Sequence, residues 1–282
     1  MQREDGKFLF GLGAPKAGTS WMHGYLAAHP EVYVPPVKEL HFFNAAEDGP
    51  GDRLKKLDAK YARTLKRGRV GYPTLDELSD IQALLADGTD TAYRHYMYDR
   101  AEGRQVMADI TPAYGLLSKE RLLDMQAIGE SRFVYLMRDP VSRLWSNIRM
   151  NARRIVRRTG AELSLTCKKL LKKALLGKLP SLQARCDYRS VLENIAALTQ
   201  KNVLIAFYEE LFTNETVTRI CDLIDVAVMP AKFDQRINEG HAVAMTESDR
   251  ARAAHYLKPQ YTAVQAHMGR LPDAWKQNAG VA

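Results

Sequence analysis

The segment KFLFGLGAPKAGTSW, residues 7–21, constrains the fold more than any other part of the chain. Its apolar beginning, residues 7–13, has the composition of a buried strand, and residues 19–29 have the apolar spacing of a helix that ends before Pro30. Gly13 and Gly18 let the backbone turn and approach an anion, toward which the first N–H groups of the helix point. The segment therefore predicts a phosphate-binding loop after a strand.

The position of the lysine in this loop separates it from two common nucleotide-binding loops. Nucleoside triphosphatases place the lysine directly after the second glycine of G-x-x-x-x-G-K-[ST]. Here Gly13 and Gly18 have that spacing, but Thr19 and Ser20 follow, and the lysine is Lys16. The dinucleotide pattern G-x-G-x-x-G also fails, because Lys16 stands where its third glycine would be.

The rest of the chain alternates predicted strands with predicted helices. The predicted strands cover residues 7–13, 32–34, 105–109, 132–137 and 202–208. The predicted helices cover residues 19–29, 74–86, 118–128, 140–154, 187–198 and 213–224, and two more begin near Thr246 and Pro259. This order predicts an α/β fold with a mainly parallel central sheet flanked by helices, which binds ligands at the carboxyl ends of its strands.

A second candidate phosphate site follows the strand at residues 132–137. Asp139 is a good helix N-cap and Pro140 a good first helical residue, so Arg138 ends the strand at the cleft. Ser142 and Ser146 lie one turn apart on the next helix. A guanidinium fork and a serine hydroxyl suit phosphate, although Arg138 paired with Asp139 and a structural Ser146 remain the alternative.

The two segments together resemble the sulfotransferases that use 3′-phosphoadenosine-5′-phosphosulfate (PAPS). PKAGTSW resembles their 5′-phosphosulfate loop, and the eight-residue separation of Arg138 and Ser146 resembles their 3′-phosphate segment. The resemblance implies a P-loop-like sulfotransferase fold and a role for Lys16 at the 5′-phosphate and bridging oxygen. It also implies a loop formed by Pro15, Lys16 and Ala17, a phosphate cradle of Gly18, Thr19 and Ser20, and Trp21 near the adenine.

The segment VKELHFFN, residues 37–44, supplies candidates for the catalytic base. It resembles the K-E-x-x-F-F stretch of glycan and related bacterial sulfotransferases, whose glutamate is the usual base, and this implies Glu39. A carboxylate in a closing cleft can have its pKa raised toward neutrality, which suits a base. His41 needs no such shift and stays the alternative, and Lys38 and Glu39 paired on the surface is a further one.

Softer matches extend the resemblance over roughly residues 7–224. DITPAY (residues 109–114), YRSVLENI (188–195) and VLIAFYEEL (203–211) resemble segments of the glycan-type branch, although Asn194 stands where that branch often has tryptophan. Tyr188 either contacts the nucleotide or packs in the core. RINEGH, residues 236–241, is the candidate lid within a C-terminal tail of about residues 232–282.

Composition favours one large domain, residues 1–282, with a basic helical insertion at about residues 151–186. The chain has 46% hydrophobic residues, a net charge of +8 and a pI near 9.3, which favours anionic partners. The basic stretch at residues 149–178 predicts either a solvated helix face or a border of the acceptor cleft that favours an acidic glycan or a lipid head group. Peripheral membrane contact is therefore possible, whereas no nucleic-acid-binding module is recognisable.

Three cysteines without CxxC spacing argue against a disulfide framework or a zinc site. With no signal-peptide pattern and no apolar run of membrane-spanning length, we expect a cytoplasmic protein.

The combined prediction is an enzyme that moves a sulfuryl group from PAPS to a hydroxyl or amine of a carbohydrate, glycolipid or natural product, leaving PAP. A sulfuryl group carries less charge than a γ-phosphoryl group, so we expect lysine and backbone N–H groups to suffice without a metal. The alternatives are a nucleotide kinase or triphosphatase, and a non-catalytic module that binds anionic glycans or membranes.

Overall fold

The structure, a computed structural model, describes residues 6–67, 73–234 and 243–280, apart from the side chains at 66 and 67. Its described strands form one parallel sheet in the order β2-β3-β1-β4-β5. The strands are β1 (Lys7–Gly13), β2 (Val32–Tyr33), β3 (Val106–Ile110), β4 (Glu130–Met137) and β5 (Val203–Phe207). The predicted α/β fold with a mainly parallel sheet is confirmed.

Helices surround this sheet. They are α1 (Thr19–Ala27), α2 (Phe42–Asp48), α3 (Gly51–Arg67), α4 (Leu75–Asp87), α5 (Asp90–Ala101), α6 (Lys119–Ala127), α7 (Pro140–Thr159), α8 (Leu163–Leu175), α9 (Pro180–Ala184), α10 (Tyr188–Ile195), α11 (Asn214–Ile224), α12 (Glu247–Met268) and α13 (Asp273–Ala279). Short 3-10 turns lie at Pro112–Leu116, Gln200–Asn202 and Tyr208–Glu210. No helix within the described ranges is both long and apolar enough to cross a bilayer.

The register of the central strands positions the candidate site. β1 pairs in parallel with β4 on one side and with β3 on the other. Parallel neighbours end at the same edge of a sheet. The loop after β1, the turn after β4 and the segment after β3 therefore meet at the carboxyl edge.

Local capping explains why several helices begin where they do. Thr74 and Glu77 form the predicted capping box, in which the Glu77 N–H donates to Thr74 Oγ1 at 3.2 Å and the Thr74 N–H donates to Glu77 Oε2 at 2.6 Å. Ser118 caps α6 by accepting from the Arg121 N–H, and Asp139 caps α7 by accepting from the Ser142 N–H. These side chains satisfy N–H groups that have no partner within the helix.

The sequence prediction differs from the structure in the C-terminal region. Two helices were expected to begin near Thr246 and Pro259. The structure has a single helix, α12, and Pro259 lies inside it. Leu257 and Tyr261 on either side of the proline are 2% and 3% exposed, and their burial offsets the hydrogen bond that the proline removes. α7 also continues to Thr159, past its predicted end at residue 154. The candidate lid at residues 236–241 lies outside the described residues.

Candidate active site

The loop after β1 has the backbone geometry of an anion cradle. Gly13 and Gly18 have φ angles of 131° and 90°. A Cβ on Gly13 would lie 2.8 Å from the Pro112 carbonyl oxygen, and one on Gly18 would overlap the Leu211 side chain, so only glycine fits at either position. α1 begins directly after Gly18, and no side chain caps its first turn. The free N–H groups at this helix terminus attract an anion.

Arg138 connects the two candidate phosphate segments. Its Nη1 donates to the Lys16 carbonyl oxygen at 3.2 Å, so the turn after β4 contacts the loop after β1. The guanidinium carbon lies 4.3 Å from the centre of the Tyr208 ring, in cation–π geometry. Arg138 Nε is buried without a hydrogen-bond partner among the described residues. A buried donor of this kind is stabilised when an anion accepts from it.

Tyr188 holds the main chain at Arg138. The Tyr188 hydroxyl accepts from the Arg138 N–H at 3.1 Å and donates to the Arg138 carbonyl at 2.7 Å. The ring is fully buried. Of the two roles considered from the sequence, the structure has Tyr188 in the core, where its contribution to the site passes through the backbone of Arg138.

Asp139 does not form the alternative ion pair with Arg138. Its Oδ2 accepts from the Ser142 N–H at 2.8 Å and from Asn278 Nδ2 at 3.0 Å, and its Oδ1 accepts from the Tyr261 hydroxyl at 2.6 Å. Asp139 therefore caps α7 and joins it to α12 and α13, and the Arg138 guanidinium remains directed to other partners.

A row of side chains on α7 continues the cationic site. Ser142, Ser146, Arg149 and Arg153 are separated by four, three and four residues, which puts them on one face of the helix. Ser146 is 9% exposed, and Arg149 Nε is buried without a hydrogen-bond partner in the described part of the chain. The helix face that carries Ser146, the predicted 3′-phosphate ligand, therefore also carries Arg149 and Arg153.

These cations repel one another. Burial lowers the pKa of Lys16, and the charges of Arg138, Arg149, Lys38 and Arg153 lower it further, in that order. Burial, followed by Arg153 and Arg138, likewise lowers the pKa of Arg149. A polyanionic ligand among these side chains would offset the repulsion and raise the pKa of Lys16 again.

Lys38, Glu39 and His41 form a connected group beside the loop. Lys38 Nζ donates to Ser20 Oγ at 2.6 Å and lies 3.6 Å from Glu39 Oε1. Glu39 Oε2 lies 3.7 Å from His41 Nε2, and His41 Nδ1 lies 3.1 Å from Asn44 Oδ1. The structure thus brings both candidate bases to the first turn of α1, with Lys38 as the link.

The pKa of Glu39 moves opposite to the direction that the closing-cleft argument suggests. The neighbouring His41 imidazole, 3.7 Å away, lowers it, burial opposes this, and the charge of Lys38 lowers it again, so the net pKa lies below the ordinary carboxyl value. The expected rise in pKa comes from desolvation alone. In the structure the two neighbouring donors outweigh it, and Glu39 is held as a carboxylate.

The backbone at Glu39 and His41 has unfavourable φ angles, and hydrogen bonds from Arg53 hold it in place. Glu39 and His41 have φ angles of 62° and 58°, which cost non-glycine residues on the order of 1 kcal/mol each. Arg53 donates to the carbonyls of Glu39 and Leu40, the latter at 3.3 Å. These contacts fix a conformation that the segment would not adopt by itself.

Hydrogen bonds from the DITPAY segment, residues 109–114, support the backbone at His41 and Phe42. Asp109 is 1% exposed and accepts from Thr111 Oγ1 at 2.7 Å and from the Tyr114 hydroxyl at 2.6 Å. In turn, the His41 N–H donates to Thr111 Oγ1 at 3.5 Å and the Phe42 N–H donates to the Tyr114 hydroxyl at 3.1 Å. Burial raises the pKa of Asp109, against the effect of these hydrogen bonds.

Trp21 lies in an aromatic cluster at the side of the loop. Its ring stacks on Tyr25 and Phe233 at centroid distances of 5.8 and 5.9 Å and meets the edge of Phe212 at 5.3 Å. Its Nε1 donates to the Lys232 carbonyl at 3.0 Å. This contact joins α1 to the chain that leads toward the C-terminal tail.

A cavity of about 560 Å³ opens beside His41. Its lining is mostly polar and acidic, with two leucines, and comprises His41, Asn44, Glu47, Asp48, Ala113, Leu116, Leu117, Ser118 and Asn194. Within the described ranges, no group of three His, Cys, Asp or Glu side chains could hold a metal ion.

Sequence reasoning missed Arg53 and undervalued Arg149. Arg53 lies on α3, which was not predicted, and no local motif marks it. Arg149 was counted only as part of a basic stretch. Its position three residues after Ser146 on a predicted helix was a usable signal, because residues three apart share a face.

The sheet, the glycine loop and the cationic carboxyl edge define the chain as an α/β protein with a P-loop-like anion site. Residues 9–230 match the model of the sulfotransferase family, so the chain belongs to the PAPS-dependent sulfotransferases. No curated protein sequence matches the chain closely enough to count as a relative.

One solved sulfotransferase structure supports this fold, and two further sulfotransferase domains are more distantly similar to the chain. A sulfotransferase from Alicyclobacillus acidocaldarius is 20% identical, with 95% of this chain and 98% of that chain covered at a TM-score of 0.64. The sulfotransferase domain of the Synechococcus PCC 7002 olefin synthase is 18% identical, with coverages of 80% and 76% and a TM-score of 0.46. The corresponding domain of the curacin biosynthetic pathway is 20% identical, with coverages of 81% and 77% and a TM-score of 0.47.

We predict that Tyr188→Phe weakens nucleotide binding although Tyr188 is buried. The change leaves the N–H and carbonyl of Arg138 without their partner, which costs about 1–3 kcal/mol of folding free energy, and it loosens the arginine. Calorimetry with PAP should show affinity reduced about tenfold, the equivalent of one lost hydrogen bond.

Tyr93→Phe is the control, because this fully buried tyrosine donates to Asp109 at 3.3 Å and does not contact Arg138. It should lower stability without a matching loss of PAP affinity. Equal PAP affinity in Tyr188→Phe and the unmodified protein would contradict the positioning role.

Proposed function

We propose that this sulfotransferase transfers the sulfuryl group of PAPS to a hydroxyl or amine of a carbohydrate, glycolipid or natural-product acceptor. One observation carries the assignment of the site: the contact of Arg138 Nη1 with the Lys16 carbonyl at 3.2 Å. Because the two cationic segments touch, one nucleotide with phosphates at both ends of its ribose can reach both. Glu39 and His41 stand next to the same loop, through Lys38 and Ser20.

The residues present suit the donor. On the 5′ side we assign the N–H groups of Gly18, Thr19 and Ser20 and the ammonium of Lys16, with Pro15 and Ala17 shaping the loop. The uncapped first turn of α1 and the lowered pKa of Lys16 support this assignment.

On the 3′ side we assign Arg138 and Ser146, supported by the buried, unpartnered Nε of Arg138. Tyr188 acts through the Arg138 backbone. We assign Trp21 to the adenine side of the site.

The chemistry needs a base and a stabilised leaving group. In the transfer, the acceptor oxygen bonds to sulfur while the bridging S–O bond breaks and its electron pair stays on the 5′-phosphate of PAP. Glu39 accepts the acceptor proton, and Lys16 stabilises the charge that develops on the phosphate. The lowered pKa of Glu39 keeps it ionised and able to accept that proton. His41, 3.7 Å from Glu39, is the alternative base.

The acceptor site we propose is the cavity beside His41. Its side chains include the amides of Asn44 and Asn194 and the carboxylates of Glu47 and Asp48. Such groups accept and donate hydrogen bonds to several hydroxyls at once. This lining supports a carbohydrate-like or otherwise hydroxyl-rich acceptor. We also propose a reducing compartment such as the cytoplasm, because Cys167, Cys186 and Cys221 are free and buried.

Calorimetry with PAP and with ATP plus magnesium tests the nucleotide assignment. We expect PAP to bind more tightly, and Arg138→Ala to weaken PAP by about 10- to 100-fold, because a hydrogen bond to a charged group contributes about 1.5–3 kcal/mol. AMP, which has no 3′-phosphate, should be little affected. Arg219→Ala removes the same charge from an exposed position on α11 and should change neither affinity. A preference for ATP would overturn the assignment.

Glu39→Gln tests the base. PAP affinity should persist, whereas transfer of labelled sulfate to an accepted substrate should fall by about 100-fold or more. Because the pKa of Glu39 is lowered, the carboxylate stays ionised as the pH falls, so the acid limb of kcat/KM should lie below pH 4.5. Glu120→Gln, on the exposed face of α6, is the matched control.

An acid limb about two units higher, where imidazoles ordinarily titrate, together with unchanged turnover in Glu39→Gln, would move the base to His41. Turnover retained in both Glu39→Gln and His41→Gln would remove the base from this segment.

A further inference from the structure

The positive charge of the chain comes from one segment. Residues 140–186 contain twelve lysines and arginines but a single acid, Glu162, whereas the whole chain has 41 basic and 33 acidic residues. The other residues therefore include 29 basic and 32 acidic ones, a slight negative excess. The net positive charge of the chain is therefore concentrated in the segment from α7 to α9.

The outer face of α8 concentrates this charge between two leucines. Lys168, Lys169, Lys172 and Lys173 are all exposed and lie at helical spacing on one side. Leu165 and Leu176, at the two ends of the same face, are 48% and 58% exposed. The opposite face of α8 is buried and consists of Thr166, Cys167, Leu171 and Ala174.

α7 extends the surface. Arg154, Arg157 and Arg158 are exposed, and Ile155 among them is 38% exposed. The α7–α8 surface, defined by these four residues with Leu165, Leu176 and the four lysines, thus holds three of the nine large apolar side chains that are exposed in the described structure.

The acids nearby are already engaged. Glu162 caps α8 by accepting from the N–H groups of Ser164 at 2.9 Å and Leu165 at 3.2 Å. Asp249 lies near enough to Lys168 for the lysine charge to lower its pKa, but it forms its ion pair with Arg252. Among the described residues, none of the four α8 lysines lies within ion-pair distance of a carboxylate. The surface is therefore cationic without internal compensation.

We propose that the α7–α8 surface docks the protein on an anionic membrane. A basic residue near an anionic bilayer contributes about 1 kcal/mol of binding, so a cluster of this size suffices for reversible attachment. The leucines decide between a membrane and a water-borne polyanion, because only a bilayer offers an apolar phase for them. α8 has 13 residues and lies on the protein, so it would rest in the interface without spanning it.

The docking and the proposed chemistry are separate properties. Vesicle binding needs neither donor nor acceptor, so it can succeed or fail whatever the reaction is. If both hold, the α7 helix that begins beside Arg138 connects the reaction site to the membrane-facing surface.

Cosedimentation of the full chain with vesicles tests the proposal. The vesicles contain equal parts of phosphatidylglycerol and phosphatidylcholine, with pure phosphatidylcholine as the neutral reference. The unmodified protein should cosediment with the anionic vesicles and should not cosediment with the neutral ones. Replacing the four α8 lysines with glutamine should weaken binding on the order of 1,000-fold. The control replaces Lys55, Lys119, Lys201 and Lys258, which are exposed and dispersed, and should bind nearly as tightly as the unmodified protein.

A second variant, Leu165→Ser with Leu176→Ser, isolates the apolar part and does not change charge. It should weaken vesicle binding about tenfold and leave binding to a heparin oligosaccharide unchanged. Equal vesicle binding by this variant and the unmodified protein would overturn the proposal. So would equal losses in the clustered and dispersed lysine variants, or binding of heparin or single-stranded RNA without binding of anionic vesicles.

Discussion

Mutual repulsion of cations at the carboxyl edge of the sheet is the constraint on which the site depends. Burial disfavours the charged forms of Lys16 and Arg149, and nearby cations add to this: Arg138 and Arg149 act on Lys16, and Arg153 and Arg138 act on Arg149. Folding holds them there because β1 and β4 are parallel neighbours whose ends must meet. An arrangement that costs free energy in the absence of a ligand is what a site for a multiply charged anion requires.

The scaffold offsets this cost through contacts away from the anion. Tyr188 fixes the backbone of Arg138 from inside the core, and Asp139 ties the start of α7 to the C-terminal helices. On the other side, Asp109 supports the strained backbone that carries Glu39 and His41, through Thr111 and Tyr114. The fold therefore orients the reactive residues through buried hydrogen bonds to their backbone. Their charged side-chain groups stay available to bind the substrate.

The strands, about half of the helix starts and the glycine turn after β1 were predictable from the sequence, because apolar runs, capping residues and glycines act locally. Pro259 misled the prediction, since local propensity ends a helix there while the burial of Leu257 and Tyr261 continues it. The direction of the Glu39 pKa was also missed, although Lys38 and His41 are its neighbours in sequence, because the left-handed backbone at Glu39 and His41 decides how close their side chains lie to the carboxylate.

The proposed site requires that one nucleotide contact both anion segments, and a crystal structure of the complex with PAP tests this directly. We expect the 5′-phosphate within about 3 Å of the N–H groups at the start of α1 and beside the ammonium of Lys16, and the 3′-phosphate on Arg138 and Ser146. A nucleotide bound at the loop with its 3′-phosphate away from Arg138, or bound elsewhere on the sheet, would contradict the account.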